Sequence, residues 1–209
     1  MAGDRQRVLG ALAEAGVGGA SEFGRFINNT TYFAPSAFDE RAAMPVLLQL
    51  LPDLTDPAVV GSLAGHLRRP WARPHAFQPL LAAYRRFGGE DAKAAGWHLA
   101  DALSNAATAS DLAVLLELAQ DTRLGKSRQM LVHALWRFRK DDRVASVLAP
   151  LCGDPAVALH AMSAYRRTVG NEEALPLLRS LREHPSEQVR KQATQQAKKA
   201  EKAAAAARG

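Results

Sequence analysis

Residues 154–165 read Asp-Pro-Ala-Val-Ala-Leu-His-Ala-Met-Ser-Ala-Tyr, and this stretch decides the fold. From Val157 onward, apolar and mostly small residues recur at offsets of +4, +7 and +8, which are Ala161, Ala164 and Tyr165. These offsets lie on one face of a helix with about 3.6 residues per turn. The stretch therefore predicts a helix whose N-cap is Asp154, with Pro155 after it, and Asp56 before Pro57 is predicted to cap a second such helix. The helix at Asp154 buries a narrow face and lets a neighbour approach closely.

The same pattern occurs four more times, starting at Val59, Ala95, Ser127 and Val189, so successive starts are 36, 32, 30 and 32 residues apart. A leucine-rich helical stretch precedes each copy. These stretches contain Pro45–Leu48, Pro79–Leu81, Ala113–Leu116, Ser146–Leu148 and Pro176–Leu178. Their prolines are expected in the first helical turn, where a missing N–H costs nothing. The period predicts an all-α chain, a right-handed α-solenoid of about five helix pairs.

At these positions the chain resembles HEAT-repeat proteins. The resemblance rests on Asp154–Val157 with the small residues of the helix that follows, and on Val189-Arg190 followed by Ala193 and Ala197. The arginine that the family places after the starting residue occurs as Arg128 and Arg190. The short period is similar to the bacterial subtype first described in phycobilisome lyases. The resemblance covers residues 45–197 and implies a helical-repeat fold. For function it implies a range from scaffold to accessory subunit of a lyase-type enzyme.

The two ends differ from the repeats. Residues 1–44 are predicted to form an N-terminal cap with an amphipathic helix and an aromatic cluster, which seals the first repeat or binds a partner. The cluster contains Phe23, Phe26, Tyr32, Phe33 and Phe38. Residues 45–197 form the repeats. Residues 198–209 are a basic, alanine-rich tail, which either continues the last helix or acts as a flexible basic arm.

The formal net charge of +6 is concentrated near the C-terminus. Residues 190–209 hold 6 Lys and Arg against 1 acidic residue, which leaves 21 against 20 for residues 1–189. This distribution weakens a general nucleic-acid-binding interpretation. The single cysteine, Cys152, excludes an internal disulfide framework and is expected to be a buried, unreactive thiol. No long apolar run or signal peptide is evident, which predicts a cytoplasmic protein without a membrane partner.

Basic residues recur at offsets +9 and +10, at the end of the second helix in four of the five copies. Two explanations fit: interaction with the helix macrodipole, or a basic ridge that binds an acidic protein surface or a phosphate backbone. Trp71, between Pro70 and Pro74, is either a partner anchor or a loop residue folded onto the core. The predicted partner-binding residues are Arg68, Arg69, Trp71, Arg73, Arg137, Arg139, Arg166 and Arg167.

An enzymatic alternative rests on Trp97 and Asp101, one helical turn apart. HEAT-like DNA glycosylases that remove alkylated bases have a similar Trp–Asp pair, and Trp136 and Arg137 would supply their further roles. By repeat register both Trp97 and Asp101 are expected at the surface. The six histidines show no metal-binding spacing, and the sequence predicts no catalytic residue, metal or cofactor. The sequence thus favours a non-enzymatic protein-interaction module or scaffold. The alternatives are a nucleic-acid binder, including such a glycosylase, and a lyase accessory subunit.

Overall fold

The computed structural model describes residues 2–19, 38–73, 75–89 and 94–208, and within these ranges every regular element is a helix. The predicted all-α class is thus confirmed for the described part of the chain. The chain divides into two compact units, Met1–Thr108 and Ala109–Gly209. A continuous five-pair solenoid stays a prediction. Of the predicted aromatic cluster, Phe23, Phe26, Tyr32 and Phe33 lie outside the described residues, whereas Phe38 is buried.

In the N-terminal unit, the second helices of the first two copies pack side by side. The α-helices are α1 (Ala2–Glu14), α2 (Glu40–Leu50), α3 (Pro57–Leu67), α4 (Phe77–Phe87) and α5 (Ala94–Ala106). Short 3-10 helices span Leu51–Asp53 and Pro70–Ala72. Helix α5 packs against both α3 and α4, and α1 packs on α2. At Gly61, an added Cβ would lie 3.2 Å from the Cα of Ala95, so a small residue is needed where α3 meets α5.

The C-terminal unit repeats this arrangement with three second helices. Its α-helices are α6 (Leu112–Gln120), α7 (Gln129–Ala134), α8 (Asp142–Leu151), α9 (Ala158–Val169), α10 (Asn171–Ser180) and α11 (Glu187–Arg208). Its 3-10 helices are Ala109–Asp111, Thr122–Arg128, Leu135–Phe138 and Leu181–Glu183. Helix α9 packs against α7 and α11, the second helices of the copies before and after it, and also against α8 and α10.

The repeat pattern correctly predicts the buried face of the second helices. Of the twenty positions at offsets 0, +4, +7 and +8, all are buried except His66 and Tyr165, which are partly exposed. Even Ser127 and Gln196, the polar members, are buried. Burial of apolar surface contributes about 25 cal/mol per Å², so this face stabilises the packing of neighbouring second helices within each unit.

Of the two predicted helix N-caps, one is confirmed and the other is wrong. Asp56 caps α3 as predicted, because its carboxylate accepts a hydrogen bond from the N–H of Ala58 at 2.9 Å. Asp154 likewise accepts from the N–H of Ala156 at 2.9 Å, but α9 begins only at Ala158. The cap prediction for Asp154 is therefore wrong: its carboxylate and its carbonyl close a separate turn that precedes the helix.

The prolines of the first helices do not all lie in the first turn. Pro79 is the third residue of α4, as expected, whereas Pro45 and Pro176 are each the sixth residue of α2 and α10. Helix α2 starts earlier than predicted because Asp39 caps it through the N–H groups of Arg41 and Ala42. The first-turn prediction is therefore wrong for Pro45 and Pro176. Because proline has no N–H, α2 and α10 each lack one internal hydrogen bond.

Helix α1 is fixed to the loop that leads into α3. Val8 and Leu12 are fully buried, as the amphipathic pattern predicts. The carboxylate of Asp4 accepts hydrogen bonds from the backbone N–H groups of Thr55 (2.6 Å) and Asp56 (2.7 Å), which lower the pKa of Asp4. Charge-assisted bonds of this kind are among the stronger ones, so α1 belongs to the packed N-terminal unit.

The basic tail continues the last helix. Helix α11 runs without interruption through residues 197 and 198, and Ala200 and Ala204 are buried. Arg179 donates to the Glu201 carboxylate at 3.0 Å, which ties α11 to α10. Lys198, Lys199 and Lys202 remain exposed. The sequence left two alternatives for the tail, a continued helix or a flexible basic arm. In the structure the helix continues to Arg208.

Candidate functional site

The predicted binding residues fall into two sets, one in each unit. Arg68, Arg69, Trp71 and Arg73 follow the end of α3 and are called the Trp71 set. Arg137 and Arg139 follow α7, and Arg166 and Arg167 lie in the last turn of α9. These four arginines, together with Trp136, are called the Trp136 set. The two sets occupy matching positions in the repeat, yet their surroundings differ.

In the Trp71 set, Arg68 forms an ion pair with a buried carboxylate. Its guanidinium lies 3.2 Å from an oxygen of Asp101, whose side chain is only 10% exposed. The other Asp101 oxygen accepts from the side-chain amide of Asn105 at 3.0 Å. Asp101 was expected at the surface, and that expectation is wrong because Arg68, from the preceding repeat, lies over it. Trp97 is partly exposed and contacts the His98 ring edge-on at 5.4 Å.

Arg69 is engaged by a second carboxylate, that of Glu40. Its guanidinium donates two hydrogen bonds to the Glu40 oxygens, at 2.7 and 2.9 Å. His66 Nδ1 lies 3.3 Å from the same carboxylate. Burial raises the pKa of Glu40, but the hydrogen bonds from Arg69 and His66 outweigh it, so this pKa lies below its usual value. Burial also lowers the pKa of His66, which is therefore neutral at pH 7.

The rest of the Trp71 set is also held inside the unit. Arg73 donates to the backbone carbonyl of Asn105, near the C-terminal end of α5. This contact places a cation at the C-terminal end of a neighbouring helix, where the helix macrodipole favours positive charge. It is not the interaction predicted for Arg68 and Arg69, which was with the end of their own helix. The guanidinium of Arg41 lies 5.7 Å from the centre of the Trp71 ring, and Trp71 is partly exposed. The set thus joins repeats within the N-terminal unit.

The Trp136 set is built on cation–π contacts. The guanidinium carbon of Arg167 lies 3.4 Å from the centre of the Trp136 ring, and that of Arg139 lies 5.8 Å from it. Arg137 lies over the neighbouring Phe138 at 5.4 Å. Arg139 and Arg167 are exposed and Trp136 is partly exposed. Repeat register correctly brings the ends of α7 and α9 together here, but nothing in it indicates that Arg167 stacks on Trp136.

Three arginines of the Trp136 set are not neutralised by a carboxylate in the described part of the C-terminal unit. Arg139, Arg166 and Arg167 form no ion pair within 4.0 Å there. Arg166 donates instead to the side-chain oxygen of Asn171 at 2.7 Å, and its buried Nε has no hydrogen-bond partner among the described residues. The set therefore presents positive charge beside an aromatic ring, an arrangement suited to binding an anion.

The basic surface extends along the C-terminal unit. Lys198 and Lys199 occupy offsets +9 and +10 of α11, the positions that Arg166 and Arg167 occupy in α9. Helix α9 packs against α11, so these cations share a repeat offset on neighbouring helices. The predicted helix end at this offset is wrong for the last copy, because α11 continues to Arg208 and places Lys198 and Lys199 near its middle. Lys140, beside Arg139, is exposed as well. The surface formed by the Trp136 set with Lys198 and Lys199 is called the basic row.

The other candidate groups are structural. Burial raises the pKa of the Cys152 thiol to about 12, which confirms a buried, unreactive cysteine. The rings of His133 and His160 meet edge-on at 6.0 Å, and burial, with a smaller contribution from His133, lowers the pKa of His160. Across the described ranges, no group of three His, Cys, Asp or Glu side chains is placed to hold a metal ion.

Sequence reasoning missed the acidic partners of the Trp71 set. Glu40 precedes the repeat pattern in its copy, and Asp101 lies 33 residues after Arg68. The separation of 33 residues, close to one repeat period, is the signal that could have indicated a contact between equivalent helix faces.

No helix in the described ranges is long and apolar enough to cross a membrane. Comparison of the chain with models of protein families, with curated proteins and with solved structures finds no match.

Proposed function

We propose that this chain is a non-enzymatic protein-interaction module or small scaffold that binds its partner through the Trp136 set. One observation carries the proposal. The guanidinium groups of Arg139 and Arg167 lie on the partly exposed ring of Trp136 and have no carboxylate partner among the described residues. Tryptophan and arginine are the residue types that most often dominate the energy of protein interfaces.

The contrast with the Trp71 set supports this choice of surface. Arg68 and Arg69 already bind Asp101 and Glu40, so a partner would have to displace those carboxylates. Arg139 and Arg167 need no such displacement. Their desolvation on binding is also reduced, because part of each group already faces an aromatic ring. The Trp136 set is therefore the better prepared of the two predicted surfaces.

The geometry of Asp101 supports a structural role over a catalytic one. A base-excision enzyme needs a carboxylate that faces its substrate, whereas Asp101 is buried and bound by Arg68 and Asn105. Asp101→Asn is expected to leave any base-excision activity unchanged. Loss of a measured activity in this variant would restore the glycosylase alternative.

We also propose that the helix pairs are HEAT-like repeats. The arginine after the starting residue acts alike in two copies. Arg128 donates to the backbone carbonyls of Gly125 and Ala119, and Arg190 to those of His184 and Pro185. In both copies the side chain binds backbone carbonyls that lie between the last turn of the first helix and the start of the second helix of its own pair, as a shared repeat design would require.

The test is affinity capture from a nuclease-treated lysate, with the double variant Arg139→Ala/Arg167→Ala beside the native chain. The matched control is Arg123→Ala/Arg143→Ala, because both arginines are exposed and each pairs with an aspartate two residues away. We expect one stoichiometric protein that binds the native chain and the control but is lost with the Trp136-set variant. Equal recovery with all three chains would refute the proposed surface. Binding that disappears on nuclease treatment would favour the nucleic-acid alternative.

A further inference from the structure

The stacking of Arg167 on Trp136 constrains what the Trp136 set can bind. A guanidinium carbon 3.4 Å from a ring centre is in contact with the ring, so the planar group lies along the indole. Its N–H donors lie in the plane of the guanidinium and form a fixed fork that matches the two oxygens of a carboxylate. Because stacking on Trp136 already restricts the rotation of the Arg167 guanidinium, less side-chain entropy is lost when a ligand binds.

We infer that the basic row takes the carboxylates of an acidic, extended segment of a partner polypeptide. This inference rests on the proposed function and names the partner's chemistry. Charge complementarity is the reason: the row presents Arg139, Arg166 and Arg167 without ion pairs among the described residues, and exposed Lys198 and Lys199 continue it.

Trp136 is less suited to nucleobases than to a protein segment. A single-stranded nucleic acid would be held by bases stacked on aromatic faces, with basic residues along the backbone. The ring of Trp136 already carries the guanidinium of Arg167, and Arg139 lies 5.8 Å from its centre. A base would have to displace the arginine that should bind the phosphate, whereas a carboxylate binds the stacked guanidinium as it stands.

The packing of the second helices sets the spacing of the acidic residues. Packed helices are about 8–10 Å apart, so the cations at the end of α9 and those at the same repeat offset near the middle of α11 are expected to be about that far apart. A polyproline II segment rises about 3.1 Å per residue and repeats every third residue, so it returns to the same face after roughly 9 Å. The partner segment is thus expected to carry acidic residues three positions apart.

The test is isothermal titration calorimetry of the full chain with three defined probes. The first is a short proline-rich peptide with glutamate at every third position, and the second is the same peptide with glutamine instead. The third is single-stranded oligothymidylate. We expect the glutamate peptide to bind, the glutamine peptide not to bind, and the oligonucleotide to bind more weakly than the glutamate peptide.

Substitutions distinguish binding through the planar guanidinium of Arg167 from binding through positive charge alone. Arg167→Gln is expected to weaken binding of the glutamate peptide by about tenfold, the usual cost of losing a charge-assisted bidentate contact. Arg167→Lys keeps the charge but loses the planar fork, so it should weaken binding by several-fold. Lys198→Gln/Lys199→Gln should weaken it by about threefold, because a flexible ammonium acts as a point charge. Arg123→Gln removes the same charge at an 88% exposed side chain of the same unit and should leave binding unchanged.

Three results would overturn the inference: equal binding of the glutamate and glutamine peptides, native-like affinity of Arg167→Gln, or tighter binding of the oligonucleotide. Arg167 is exposed, so its replacement does not disturb the core, and circular dichroism checks that each variant is folded. A partner that is captured through Arg139 and Arg167 while the glutamate peptide fails to bind would leave the proposed function standing and refute only the acidic segment.

Discussion

In the N-terminal unit Arg68 and Arg69 bind Asp101 and Glu40, whereas in the C-terminal unit Arg139 and Arg167 lie on the ring of Trp136. Both sets lie at or just after the ends of second helices, and each contains a partly exposed tryptophan. The difference comes from their neighbours: Arg68 meets the carboxylate of Asp101 from the next repeat, whereas Arg139 and Arg167 have no carboxylate within 4.0 Å among the described residues. The same residue type at the same repeat position can therefore join repeats in one unit and remain available to a ligand in the other.

The largest expected effect on stability comes from replacing Arg128 in the C-terminal unit. Like Arg68 and Arg69 of the Trp71 set, Arg128 binds a carboxylate of the protein itself. It is 1% exposed and donates to Asp154 at 2.5 Å as well as to two backbone carbonyls. Arg128→Met should lower the free energy of unfolding by about 2–4 kcal/mol, since it leaves the partly buried Asp154 carboxylate and two buried carbonyls without their donor. Urea denaturation measures this. A loss below about 1 kcal/mol would show that Arg128 is not needed to join the repeats.

A substitution at Gly170 tests whether the turn between α9 and α10 holds the arginines of the Trp136 set in place, because Gly170 ends α9 and precedes α10. Its φ of 105° and ψ of 163° lie in a region that is essentially restricted to glycine, and an added Cβ would lie 2.4 Å from the Glu173 carboxylate. Gly170→Ala should destabilise the chain by about 1–3 kcal/mol. Faster hydrogen exchange should follow at the end of α9 and the start of α10. Gly65→Ala, where nothing lies within 4 Å of the added Cβ, is the control and should not be destabilising.

Arg69→Ala and Arg167→Ala together test the comparison most directly. Arg69→Ala leaves the partly buried Glu40 without its bidentate partner and should lower the free energy of unfolding by about 1–2 kcal/mol. Arg167→Ala removes an exposed side chain and should change it by less than about 0.5 kcal/mol. Only Arg167→Ala should reduce partner binding. Similar stability losses in the two variants would mean that both sets are structural.

Acidification should give the smallest effect and has a defined sign. The pKa values of His66, His98 and His160 are lowered from 6.5, chiefly by burial. The unfolded chain then binds more protons than the folded chain below pH 6.5, so stability is constant above that pH and falls as the pH decreases. Below pH 4.5, protonation of Glu40 adds a further loss. Thermal unfolding from pH 7.5 to 4 measures both steps, and His160→Gln should reduce the first one.

The repeat pattern predicts the buried faces because small residues at fixed offsets leave a helix only one way to pack. It does not predict where the first helices begin, since α2 starts at the Asp39 cap, outside the repeat pattern. Nor does it predict that Arg68 covers Asp101, because that contact depends on how α3 crosses α5. Trp136 and Arg167 share a helix end by register, but their stacking depends on side-chain geometry that the spacing does not determine.

The burial of Cys152 makes site-specific labelling simple. Burial shields the Cys152 thiol and raises its pKa to about 12, so the reactive thiolate is scarce at pH 7, and Cys152 is the single cysteine of the chain. A cysteine introduced at exposed Lys140 would therefore be the thiol that reacts with a maleimide fluorophore. A dye at that position would lie beside Arg139 and report occupancy of the basic row, with the native cysteine left in place.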